Sequence, residues 1–363
     1  MTLDTTTDGP RDGGLSRRGF HRRLATSAAA GLLAMPGCGS PPEQATTGRG
    51  LDVFTVGFTL GVHTPAIAAW SELLGSVPGY RDARLTRFDR LPVITQSILS
   101  GSGDLGDGDI LTTLRAIQAG ADLKIIGMAY HSTSLVIVAD KSRVKSIHDL
   151  AAPGTIVAVN SKGDFTHVMM VKSLADEKID VARLNLLEIG GSGDRMRALQ
   201  AGRVHAVPVH LDQAAGLVQQ EKYHVILEPW QVFPVFPCEV IFCRGAWLAE
   251  PANERAAVDF LKTTIRGFRQ ANADLEWYAG RYRTYVTQPG REQATADSLR
   301  PLWETLRDKV RAWPDRMESF SVEAVRELVP SYLQAGAIRG ELDVARAVET
   351  SYLEAARQEL EQA

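Results

Sequence analysis

Four of the eight histidines, His63, His131, His167 and His210, fall where predicted strands end. Neutral imidazoles gathered from several such ends would hold a metal or hydrogen-bond a planar ligand. Loops after strands also collect polar residues for no special reason, and we expect no resident metal and no cofactor. Carboxylates stand at comparable places, at Asp107, Asp109, Asp164 and Asp212. The first two do not make a calcium loop, because the aspartate spacing is wrong and no glutamate follows at the twelfth position. Tyr130, Phe165 and Phe236 are candidate stacking surfaces, although a tyrosine at that place would equally pad a hinge. Gly190, Gly191 and Gly193, with Ser192 among them, separate a strand from a helix. Glycines there allow a close backbone approach or an anion nest, and equally a tight turn with positive φ. Gly101, Gly103 and Gly106 spell G-x-G-x-x-G. They follow a helix and precede a turn, the reverse of what a dinucleotide fingerprint needs.

The elements that must position these residues alternate between strand and helix. Leu51–Phe58 reads as a strand, the loop from Thr59 through His63 to Thr64 follows, and Pro65 suits the first turn of the helix Ala66–Leu74. That helix start points at the crevice beyond the strand ends, where open α/β sheets bind ligands. Leu85–Phe88, Leu123–Met128, Leu135–Ala139, Thr155–Val159, Leu184–Ile189, Val207–Val209 and Cys238–Cys243 are further strands. Helices are expected over Leu91–Leu99, Thr112–Ala119 with Gly120 as its C-cap, from His167 onward, and over Asp194–Gln200. Ser146 and Asp149 form a capping-box pair at the start of a short turn. Ser161 lies in the polar turn Asn160–Asp164. Beyond Pro251 the chain reads as helical over Asn253–Tyr278, Gln293–Trp313, Val322–Gln334 and Leu342–Leu360.

The N-terminus speaks of a compartment. Ser16-Arg17-Arg18-Gly19-Phe20 is a twin-arginine signature, and the apolar stretch after it is too short for a bilayer but long enough for a signal peptide. Ala34-Met35-Pro36-Gly37-Cys38 resembles a lipobox, with Met35 and Pro36 as departures. We expect a signal peptide over 1–37, lipidation at Cys38 and a flexible tether over 38–50. The protein would work in the periplasm or at the outer face of the cytoplasmic membrane, held there by its lipid alone. The leader carries five arginines and three acids, so the formal charge of −3 becomes more negative once it is gone. That balance argues against nucleic acid and anionic membranes as partners. Cys238 and Cys243, five apart on one strand, would sit ~16 Å apart. That is too far for a disulfide, and buried free thiols are expected.

The run Leu135–His167, with its strand, Asp149-Leu150, Pro153-Gly154, second strand and Gly163-x-x-x-His167, resembles the crossover of solute-binding proteins for nitrate, sulfonates, taurine and thiamine-pyrimidine precursors. Gly101–Gly106 and Ala201–Val207 are similar to two further steps of that family, with His205 where the family usually has Asp. The resemblance covers Leu51 to Ala363. It implies an α/β chain of the type 2 periplasmic-binding fold: two lobes joined by a two-strand hinge, with a helical C-terminal extension. Lobe 1 would take residues 51–137, lobe 2 residues 138–235, and the return to lobe 1 with the C-terminal helices residues 236–363. The segment Asp107–Leu111 would line the ligand.

The implied function is capture of a small organic solute, of the sulfonate, nitrate or pyrimidine class, and delivery to an ABC permease and its ATPase without covalent chemistry. Related pyrimidine synthases share the fold and use a histidine motif to which Val62-His63-Thr64-Pro65 is only loosely similar. No lysine beside it suits a pyridoxal Schiff base, and no cysteine cluster suits iron, so we expect no enzyme. A synthase-like enzyme or a ligand-sensing receptor subunit is the alternative. Family members for anions present an uncapped helix start, whereas Asp164 stands here at the N-cap position before Phe165. Its carboxylate would repel an anion, which points to a neutral or cationic ligand.

Overall fold

The computed structural model describes residues 48–233 and 235–362. The expected signal peptide, the lipobox-like run with Cys38 and most of the expected tether therefore lie outside the described residues. Two five-stranded sheets carry the chain. The first is built from β1 (Arg49–Val56), β2 (Tyr80–Phe88), β3 (Leu105–Asp109), β4 (Leu123–Met128) and β10 (Glu239–Arg244), in the order β2-β1-β3-β10-β4. The second comprises β5 (Leu135–Asp140), β6 (Ile156–Val159), β7 (Asn185–Glu188), β8 (Ala206–His210) and β9 (Tyr223–Leu227), in the order β7-β6-β8-β5-β9. In each sheet three neighbours run parallel, and the strand that follows a crossover between lobes, β10 or β5, inserts antiparallel. This is the two-lobed periplasmic-binding architecture that the sequence resemblance implies.

The helices of the first lobe are α1 (Thr64–Ala68), α2 (Leu91–Leu99) and α3 (Ile110–Gln118). Those of the second are α4 (Phe165–Asp176), α5 (Ser192–Gln200) and α6 (Leu211–Val218). After β10 come α7 (Gly245–Leu248), α8 (Pro251–Ala273), α9 (Leu275–Tyr285), α10 (Ala296–Glu304), α11 (Val322–Gln334), α12 (Val344–Ala347) and α13 (Ser351–Gln362). Among the described residues no helix is long and apolar enough to cross a membrane.

Local chemistry explains where elements start and stop. Every residue of β5 is buried, which is why it reads as an unbroken apolar run rather than an alternating one. Ser146 and Asp149 form the expected capping box, and Gly120 and Gly154 take positive φ at the turns they close. Helix α4 begins at Phe165, two residues before the expected start, because Asp164 caps it. The expected single helix over 253–278 is two: Asp274 leaves helical geometry and its carboxylate accepts from Trp277 N–H, starting α9 anew. The expected helix over 342–360 is likewise broken, because Val348 bridges to Ile125 beside β4. His205 ties the turn to β6, its Nδ1 accepting from Ile156 N–H at 3.0 Å. Cys238 and Cys243 are buried free thiols. Strand β9 has no counterpart in the expected elements; its mixed exposure hides it from a hydrophobicity argument.

The chain passes between the lobes through residues 129–134 and again through 228–233 and 235–238; none of these residues is in a strand, and the second passage holds a short helical turn at Pro229–Gln231. They hold each other: Phe236 N–H donates to His131 O at 3.2 Å, and Ser132 Oγ to Phe233 O at 3.3 Å. The core is continuous across this junction.

Candidate functional site

A cavity of about 510 Å³ opens at the carboxyl ends of strands from both sheets. From the first lobe come Phe58, beyond the end of β1, and the start of α2 at Arg90, Leu91 and Pro92. From the second come Asn160, Ser161 and Phe165 after β6, Gly190, Gly191 and Ser192 after β7, and His210 at the end of β8. The geometry follows from how the ladders end. Between β6 and β8 the register contains a single pair, Val157 and Ala206, after which the strands part. Pro208 lies just past that point, where its missing N–H costs no ladder bond.

Arg195 fills the gap. Its side chain leaves the first turn of α5, Nε donates to Pro208 O at 2.9 Å, and Nη1 donates to Gly190 O. Neither bond uses Nη2, and the residue lines the cavity while being only 3 % exposed. Its acidic neighbour Asp194 pairs instead with Arg197. Burial lowers the Arg195 pKa to about 10, with Asp164 and Asp194 opposing, so the guanidinium stays charged at neutral pH. Beside it the start of α5 has no side-chain cap, leaving the Ser192 and Gly193 N–H groups free of intrahelical partners. A buried cation and an uncapped helix start together favour an anion, against the Asp89, Glu188 and Asp194 carboxylates that also line the cavity.

Of the residues singled out in the sequence, Ser161, Phe165, Gly191, Ser192 and His210 lie on this wall. Asp164 caps α4 as expected, but its oxygens are already engaged by His167 N–H, Thr166 Oγ and Asn160 Nδ2. It does not line the cavity, although its charge still acts on Arg195. His167 Nδ1 accepts from Gly163 N–H at 3.0 Å, and His131 is bonded to Ser319 and held among the connecting segments. Thr59 accepts from Arg87, Thr64 Oγ donates to Leu60 O, and Asp109 caps α3 through Thr112 N–H. Phe236 packs on Phe233 with centroids 4.6 Å apart and is wholly buried, so it is no stacking surface in this conformation. Tyr130 is buried and accepts from Cys238 Sγ.

The remaining three, His63, Asp107 and Asp212, gather below the cavity with Glu239, which the sequence reading did not select. Leu60 N–H donates to His63 Nδ1 at 3.0 Å, which turns the proton-bearing Nε2 of the neutral ring toward Glu239 Oε2, 3.5 Å away. Burial pulls the His63 pKa down, but Glu239, Asp107 and Asp212 outweigh it and the net shift is upward. His210 goes the other way, far below its ordinary value, through burial and then the charges of His63 and Arg195. Its Nδ1 shares a hydrogen bond of 2.7 Å with Ser134 Oγ. Burial and Glu239 push Asp107 up to about 8. Asp212, on the second lobe, reaches across: it accepts from Gly61 N–H at 2.9 Å and from Tyr282 OH at 3.1 Å. The two rings of His63 and His210 thus meet, centroids 5.8 Å apart, while the other two histidines stay elsewhere. Among the described residues no group of three or more His, Cys, Asp or Glu is arranged to hold a metal.

No curated protein sequence matches the chain. Solved structures do, at low identity. The periplasmic nitrate-binding protein NrtA from Synechocystis PCC 6803 matches with a TM-score of 0.69 and 12% identity, over 86% of this chain and 89% of that one. The zinc-bound ligand-binding component of an ABC-type import system from Staphylococcus aureus matches with a TM-score of 0.67 and 15% identity, over 85% and 99%. The alkanesulfonate-binding protein SsuA from Xanthomonas axonopodis pv. citri, bound to MOPS, matches with a TM-score of 0.64 and 17% identity, over 83% and 98%. These likenesses establish the fold. The sequence profile described as NMT1/THI5 like matches residues 92–274, half of the chain, from the first turn of α2 through β3–β10 to the end of α8. The chain belongs to the NMT1/THI5-like family.

Proposed function

We propose that the protein is an extracytoplasmic solute-binding protein that captures a small anion-bearing organic solute between its lobes and presents it to an ABC importer. One observation carries the reading: the Arg195 guanidinium is buried on the cavity wall, fixed by two backbone carbonyls, and in no ion pair among the described residues. Leaving such a charge without a counter-ion is costly, and a sulfonate, carboxylate or nitrate group would supply one through Nη2 and the open start of α5. The neighbours in import systems and the family membership support the same reading. Closure needs contacts between lobes, and Asp212 with Gly61 and Tyr282 provides a pair of them. The twin-arginine motif and Cys38 support export and a lipid anchor. Binding and release would involve no covalent chemistry.

The test is calorimetric titration of the full chain with ethanesulfonate, nitrate and short carboxylates, against neutral pyrimidines. At least one anion should bind, and Arg195→Met should weaken it by roughly 30-fold or more, the cost of truncating one partner of a buried charge pair. Tight binding of a neutral pyrimidine that survives Arg195→Met would sink the anion reading.

A further inference from the structure

Below the anion end lies a group of acids that this reading leaves unused. Asp107 on β3 and Glu239 on β10 belong to the first lobe, and Asp212 at the start of α6 to the second. All are buried, none more than 8 % exposed. Each has a bare oxygen: Asp107 Oδ1, Glu239 Oε2 and Asp212 Oδ1 make no hydrogen bond. The other oxygens of the aspartates are taken, by Thr55 Oγ at 2.7 Å for Asp107 and by Gly61 and Tyr282 for Asp212. The nearest basic group is His63, whose Nε2 is also without a hydrogen bond and feels all three carboxylates. No lysine or arginine is among the groups that shift Asp107 or Asp212. The cluster packs directly beneath residues that line the cavity. Phe58 and His210 line the cavity, and their rings stand 5.9 Å from His63 and 5.8 Å from His63 respectively.

Buried acceptors without donors are destabilising, and three of them around one imidazole mark a place for a donor-rich group. We propose that Asp107, Glu239 and Asp212 form a second subsite for the primary amine or amidine end of the solute whose anionic end lies against Arg195. The proposal rests on the anion reading and narrows the solute to a short amino-bearing anion. An ammonium carries three N–H donors and no acceptor, which matches the three open carboxyl oxygens once Asp107, whose pKa is raised to about 8, gives its proton up to solvent as the amine enters. Two of these acids come from one lobe and the third from the other, so the amine would be enclosed only as the lobes close, bringing Asp212 against Gly61.

Calorimetry on the full chain with matched probes tests this: glycine, β-alanine, γ-aminobutyrate and taurine against acetate, propionate, butyrate and ethanesulfonate. At one chain length the amino probe should bind roughly 10- to 100-fold tighter than its partner, the range of a charged hydrogen-bonding group. Glu239→Gln and Asp107→Asn should each erase most of that preference while the amine-free anion still binds, which also reports that the variant is folded. Should a variant not fold, β-alanine against its hydroxyl analogue on the unmodified chain asks the same question. Amine-free anions that bind as well as amino ones at every length, with binding lost in Arg195→Met, overturn the second subsite and leave the anion reading standing. If no probe binds, both fall.

Discussion

The two lobes repeat one topology and carry opposite charge at the same place. In each sheet the middle parallel pair is short, two residues for β1 with β3 and one for β6 with β8, and the strands then part toward the cavity. In the first lobe the parted ends are acidic, with Asp107 on β3 and Glu239 on its antiparallel neighbour β10. In the second the corresponding opening holds the Arg195 guanidinium against Pro208. The lesson is that the fold decides where a ligand-facing gap occurs, and the side chain placed there decides what fills it. Close packing keeps the first gap narrow: a Cβ on Gly106 would stand 2.5 Å from the Phe242 ring. The second gap is wide enough for a guanidinium.

Changes that cross or unbalance the two lobes should show the difference in order of size. Asp212→Ala removes the acceptor of both cross-lobe bonds and should weaken solute binding roughly 10- to 100-fold, by destabilising the closed form. Small-angle scattering with saturating solute should report a larger radius for this variant; an unchanged radius and affinity would mean closure does not depend on it. Asp107→Asn probes the acidic lobe alone. Because the folded pKa of Asp107 is raised, to about 8, the folded state holds a proton that the unfolded chain releases above its ordinary value. Stability from this group is therefore full in acid and lost as pH rises toward 8, by up to ~1.4 kcal/mol per pH unit. The Asn variant should become progressively more stable than the unmodified chain as pH rises from 4 to 8. Denaturation curves that stay parallel across that range would refute the assignment. Asp164→Ala should have the smallest effect, since it removes a helix cap and no cavity wall. A loss of about 1 kcal/mol in thermal stability is expected, with solute affinity nearly unchanged. A large affinity loss instead would restore Asp164 to the site.

How far the sequence reaches differs between elements and site. Helices α2 and α11 stand where their patterns place them, because a proline or a capping serine begins each and the apolar spacing is regular. Asp164 was legible as a cap for the same local reason. Arg195 was not, because it looks like any exposed helix residue. One clue exists: a cation in the first turn of a helix opposes the macrodipole, and such a misplaced charge asks for an explanation. Glu239 begins a strand that reads as ordinary core, and nothing nearby in sequence announces Asp107 as its neighbour.

Periodicity, caps and turns, all of them local interactions, set most strands and helices, the capping box at Ser146 and the free thiols, and the resemblance of the Leu135–His167 run implied the two lobes. The gathering of His63, Asp107, Asp212 and Glu239 depends on register between strands far apart in the chain. Glu239 faces Asp109 and Ile241 faces Asp107 only because β10 returns antiparallel after the second lobe. Which side chains are buried without partners, and so what a ligand must supply, was decided by that packing alone.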